Sequence, residues 1–152
     1  MSTEFLFDVT FLLAAPFWLL MVFAPKWGPT VRVMGSPWVA TIPLIVYFVF
    51  AFPHFGELWA VVRAPELEPL RAFVGEPYGA AAIWAHVIAF DLFIGRWMYL
   101  ESRELGLHPL VMGPLLVFTV LLSPFGLVLF LALRSWVSKR KLERVSPAPA
   151  AA

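Results

Sequence analysis

Three ionisable side chains, His86, Asp91 and Arg96, stand within one apolar stretch, Tyr78–Leu100. A charge at membrane depth costs roughly 2.5–3.5 kcal/mol for Asp or Arg at a helix centre. A segment that keeps three such groups is expected to use them. Desolvation favours the protonated form of a carboxyl group, which makes Asp91 a candidate proton donor or base, with His86 as its complement. On a helix, a spacing of five turns each residue by roughly 140° from the last. That is poor for pairing along one helix, where three or four is needed. Partners for all three must come from other elements.

Depth nominates those partners. Asp8 lies about one turn inside the first apolar segment, and His54 follows Pro53 at the end of the second. Both are candidate supporting polar groups that would converge with His86 and Asp91. Arg96 and Glu101 belong to the opposite half and would pair with each other or with loop groups. No cofactor is required by the pattern. The alternative is a divalent metal held by His54, His86 and Asp91, with Asp8 in reach, since two His and a carboxylate suit iron. A third reading makes His86, Asp91 and Arg96 interhelical hydrogen-bonding groups, worth about 0.6 kcal/mol per contact.

Aromatic residues surround this constellation. His86, Phe90, Phe93 and Trp97 share a face at helical spacing, with Trp84 nearby, a wall suited to a long apolar ligand or to lipid. Pro16, Pro43, Pro114 and Pro124 fall inside apolar segments, where each removes a donor and kinks a helix. The step Ser123-Pro124-Phe125-Gly126 lets a helix or a flat ligand approach the backbone.

The elements that position these residues follow from composition. The chain is 61% hydrophobic with a mean hydropathy of +0.84 and only 14% charged residues, too few to cover a soluble surface. The composition predicts an all-α integral membrane protein of one compact unit. A formal charge of +1 gives no case for nucleic acid. The absence of cysteine excludes disulfides and thiolate chemistry.

Four segments reach the roughly 20 residues that cross ~30 Å of hydrocarbon: approximately Phe5–Ala24, Trp38–Phe55, Tyr78–Leu100 and Leu110–Leu133. They form an expected four-helix membrane domain over residues 1–137, with the polar stretch Gly56–Pro77 outside the hydrocarbon. Residues 138–152 read as a basic, then Pro/Ala-rich disordered tail. Arg134, Lys139, Arg140, Lys141 and Arg144 follow the last segment, so the positive-inside rule puts that end in the cytoplasm. An even number of spans then puts both termini there.

The run Trp84-Ala85-His86-Val87-Ile88-Ala89-Phe90-Asp91-Leu92-Phe93-Ile94-Gly95-Arg96-Trp97 resembles the signature of the abscisic-acid-deficient-four-like membrane family. That family is known from a plant plastid protein required to make neoxanthin from violaxanthin. Pro16-Phe17-Trp18-Leu19-Leu20-Met21, Leu70-Arg71-Ala72-Phe73, Gly106-Leu107-His108-Pro109 and Pro124-Phe125-Gly126-Leu127 extend the likeness from about Asp8 to Arg134. The resemblance implies a four-helix protein of xanthophyll chemistry. Opening a cyclic epoxide to an allenic alcohol needs a proton delivered to oxygen and one removed from carbon, with no net redox change. Asp91 and His86 suit that task, with Arg96 orienting or neutralising. The N-terminus lacks the features of a plastid transit peptide, so a bacterial inner-membrane relative is expected, acting on a carotenoid, quinone or other isoprenoid.

The expected activity is acid–base isomerisation of an apolar polyene, with Asp91, His86 and Arg96 catalytic and Phe90, Phe93, Trp97, Trp84 and Pro124 against the substrate. Two other classes remain open: a non-catalytic polyene binder or pathway-assembly protein, and a small proton-coupled transporter. Expected partners are membrane lipid, an apolar polyene or isoprenoid, and a second copy or pathway complex.

Overall fold

The computed structural model describes residues 2–145 and is all-α across them. Eight helices follow in order: α1 (Thr3–Phe23), α2 (Gly28–Gly35), α3 (Thr41–Ala51), α4 (Phe55–Arg63), α5 (Leu67–Gly75), α6 (Pro77–Leu105), α7 (Pro109–Leu121) and α8 (Ser123–Val145). A 3-10 turn, Pro37–Ala40, precedes α3. Local chemistry sets the boundaries. The Ser2 side chain accepts the Phe5 amide to cap α1. Pro29, Pro77 and Pro109 sit in first turns, where no donor is lost. Gly106 closes α6 at φ 72°, a left-handed conformation that favours glycine.

The 29-residue α6 is the axis. α1 runs parallel to it: Phe7 stacks on Trp84, Trp18 covers Gly95, and the Pro25 carbonyl accepts from Tyr99 and Arg103. A Cβ at Gly95 would overlap the Trp18 ring, so the helices meet there only because this residue has none. α3 runs antiparallel, with Tyr47 against His86 and, beyond its end, His54 on Tyr78. Ala81, Ala82, Ala85 and Ala89 on α6 are buried and small, which brings neighbouring backbones close.

Large apolar side chains such as Phe5, Leu12, Leu19, Phe23, Ile45 and Phe48 point outward. That surface fits hydrocarbon, not water. α1 and α6 are long and apolar enough to cross a membrane, and α2 with Pro37–Ala51, bent by 76°, makes a third candidate if counted as one span. The chain is therefore an integral membrane protein with two to three candidate spans.

The expected fourth span, Leu110–Leu133, is not a single crossing. α7 returns from the end of α6, bringing the Thr119 hydroxyl 3.9 Å from the Met98 sulfur. At Leu122 the backbone leaves helical geometry (φ -141°, ψ 65°) and the chain reverses. α8 then runs parallel to α6. Phe130 packs edge-on to Trp97 at 5.3 Å, Arg134 Nε meets Glu101 Oε1 at 2.7 Å, and Lys141 Nζ lies 3.4 Å from the Glu104 carbonyl. Gly126 lies so close to Thr119 that a Cβ would overlap it, whereas seven residues along one straight helix would separate them by about 10 Å. α7 and α8 form an antiparallel hairpin packed against α6. At about 1.5 Å per residue, α7 covers about 20 Å and Ser123 to Leu133 about 16 Å, each short of a ~30 Å core.

This reversal corrects the expected topology. The start of α1 lies at the N-terminal end of α6, whereas Arg134, Lys139, Arg140 and Lys141 lie toward its C-terminal end, with Lys26, Arg32 and Arg103. The first turns of α1 and the last part of α8 are on opposite sides of the bundle, because the last apolar segment turns back along α6. The basic part of the expected tail is the last portion of α8, and residues 146–152 lie outside the described residues. The stretch Gly56–Pro77 forms α4 and α5, of which only Phe73 is buried.

Candidate functional site at the hairpin tip

Asp91 is the central residue of α6, half-buried, and faces the point where α7 gives way to α8. The buried Ser123 hydroxyl stands beside its carboxylate. The sequence builds this meeting locally. Leu122 breaks α7, and Ser123-Pro124 restarts the helix with a residue that needs no donor, so the first turn of α8 is aimed at mid-membrane. The N-terminal turn of a helix favours a nearby anion. A carboxyl group beside a hydroxyl at this depth holds or releases a proton and orients a hydrogen-bonding ligand.

The surface toward the N-terminal end of α6 from this tip is open. Ile83, Val87 and Phe90 are exposed there, as are Leu121 and Leu122 at the tip. The hairpin packs along α6 from its C-terminal end to the level of Asp91.

His86 does not join Asp91. Its ring stacks on Phe90 at 4.5 Å and meets the edge of Tyr47 at 5.8 Å. Phe90 and Phe93 line an apolar groove of about 260 Å³ against Pro37, Ala40 and Leu44. Trp97, expected on the same wall, turns to Phe130 on α8, and Trp84 is stacked on Phe7 at 5.3 Å. Pro124 is exposed in the first turn of α8, next to Ser123.

Arg96 is engaged elsewhere. Its Nε donates to the Ser36 carbonyl at 3.1 Å and a terminal nitrogen donates to Gly35 at 2.9 Å. These are carbonyls left free where α2 ends, so the guanidinium pins the 76° bend. Of the two pairings expected for Arg96, with Glu101 or with loop groups, the second is formed, and Glu101 takes Arg134 instead.

The supporting polar residues are also apart. Asp8 is exposed in a shallow groove with Glu4 and Pro77. His54 stacks on Tyr78 at 3.6 Å, with Nδ1 3.6 Å from Glu57. The Tyr78 hydroxyl donates to Glu57, and that hydrogen bond holds the Glu57 carboxyl below its usual range. Among the described residues no three His, Asp or Glu side chains gather as a metal centre requires. The alternative of a metal on His54, His86 and Asp91 is corrected on geometry: each faces a different neighbour.

Ser123 is the functional candidate that residue chemistry did not single out. The signal was present in Ser-Pro, a helix-start pair, inside an apolar run.

The family model described as ABA DEFICIENT 4-like matches residues 5–130, and the chain belongs to that family. No curated protein and no solved structure matches it.

Proposed function

We propose that the protein performs acid–base isomerisation on an apolar polyene of the carotenoid or isoprenoid class. The observation that carries this reading is the half-buried Asp91 beside the buried Ser123 at the middle of α6, with the apolar side chains of Val87 and Phe90 exposed nearby. Family membership supports the substrate class, since the plant protein the family is known from serves neoxanthin formation. In an epoxide-to-allene conversion the protonated Asp91 carboxyl gives its proton to the epoxide oxygen as the C–O bond breaks. The carboxylate so formed takes a proton from the adjacent polyene carbon as the new double bond closes. Atoms and charge balance within one carboxyl group, and Ser123 holds that group in position. The stacked rings of His86 and Phe90 serve as aromatic contacts for the conjugated chain. Arg96 acts by fixing the α2 bend. The basic end faces the cytoplasm, with the N-terminus across the membrane.

A second reading has its own support. Asp91 beside the first turn of α8 also serves as a cap that holds the hairpin, which suits a polyene binder without turnover.

Mass spectrometry of the organic extract from gently purified protein tests the substrate class. A stoichiometric polyene or isoprenoid is the expected result. An extract of bulk phospholipid alone, from cells that make such compounds, would contradict it.

A further inference from the structure

A cavity of about 400 Å³ with a polar rim lies away from Asp91, between the end of α1 and the α6–α7 turn. Its floor is apolar, formed by Met21, Met112 and Leu116, and Lys26, Arg103 and His108 line its rim. Among the described residues no acidic side chain lines it. Arg103 is held in place by donating to the Pro25 carbonyl at 2.9 Å and by standing over the Tyr99 ring. His108 Nδ1 accepts the Leu110 amide at 3.2 Å, which leaves Nε2 as the ring's donor atom.

This cavity does not end at its floor. Pro109 and Gly113 line both it and a second, apolar groove between α1 and α7. That groove runs on through Val22 and Val117 to Leu121, beside the hairpin tip. The path from Pro109 to Leu121 is about 18 Å long at about 1.5 Å per residue, the reach of one extended acyl chain.

We propose that the cavity binds the phosphate head group of an anionic phospholipid, with one acyl chain lying in the α1–α7 groove. Three arguments select this occupant. The rim is cationic, the cavity sits at the end of α6 where head groups lie, and the apolar groove leads inward to midplane. Bound there, the lipid wedges α7 against α1 and seats the hairpin whose tip carries Ser123. The site is separate from Asp91, so it stands or falls independently of the proposed chemistry.

The test is native mass spectrometry of the full-length protein after exchange into vesicles of phosphatidylglycerol or of phosphatidylcholine. Wild type is expected to retain phosphatidylglycerol through purification and to lose phosphatidylcholine. Lys26→Gln with His108→Gln, which leaves the Arg103 hydrogen bond intact, is expected to weaken retention at least fivefold, a typical effect of losing one juxtamembrane cation. Gly113→Leu, where a Cβ meets only the Val22 carbonyl at 3.9 Å, fills the groove and is expected to reduce retention as well. Asp91→Asn is expected to retain the lipid. Equal retention of both lipids, or retention unchanged in both variants, would overturn the proposal. So would displacement of phosphatidylglycerol by millimolar inorganic phosphate, which would show an anion site with no role for the groove.

Discussion

Asp91 and Ser123 meet at the midpoint of α6, where the chain reverses between α7 and α8. The pair couples a candidate proton centre to the element that ends the apolar hairpin. A change at either residue therefore reads out on both chemistry and packing, and the variants must separate the two.

Gly126 tests the hairpin itself. Its Cβ position is occupied by Thr119, so Gly126→Ala forces α8 away from α7. Overpacking of this kind costs about 1–3 kcal/mol. The expected outcome is a lower thermal midpoint in detergent, whereas Gly113→Ala, with no near neighbour but the Val22 carbonyl, leaves it unchanged.

The hairpin also fixes sidedness. The chain has no cysteine, so single cysteines introduced at Ser2 and Ser138 report position cleanly. An impermeant maleimide applied to intact cells is expected to label the first and spare the second. Labelling of both, or of neither until lysis, would restore a topology with both ends on one side.

Arg96→Met removes two charge-assisted hydrogen bonds to the Gly35 and Ser36 carbonyls. Such bonds contribute about 1.5–3 kcal/mol each. The expected loss is of that order in stability, read as a lower denaturation midpoint, and Arg96→Lys recovers only part because one ammonium cannot reproduce the fork.

Glu57 supplies a pH dependence outside the spans. The Tyr78 hydroxyl lowers the carboxyl's pKa in the folded chain. A depressed pKa contributes stability above the unfolded value, near 4.3 for Glu, and that stability disappears as pH falls through the folded value. Protection of α4 backbone amides is expected to fall on acidification below the ordinary carboxylate range. In Tyr78→Phe this acid-dependent loss is expected to shrink.

The membrane class and the presence of α1 and α6 were legible from hydropathy, whereas α6 runs on to Leu105, through the charged Glu101–Glu104 step expected to close it at Leu100. The hairpin was not legible. Leu110–Leu133 is apolar throughout, so a crossing and a reversal look alike to hydropathy, and the Thr119–Gly126 contact that decides between them is tertiary. The difference from the expected arrangement of the two ends follows from that one break, because the last apolar segment turns back along α6. Asp91 was legible as a residue that needs a partner, but Ser123 was hidden in a step read as a kink. Arg96 found backbone carbonyls, which no side-chain pattern displays.

The most direct test of the central claim is conversion of an epoxy-carotenoid by membranes carrying wild-type protein or Asp91→Asn, followed by chromatography and mass spectrometry. Asparagine keeps the cap beside Ser123 and the lipid at the basic end, but cannot exchange the proton. The account predicts an isomer of unchanged mass from wild type and none from Asp91→Asn, with the polyene still bound. Formation of that isomer at the wild-type rate by Asp91→Asn would contradict it.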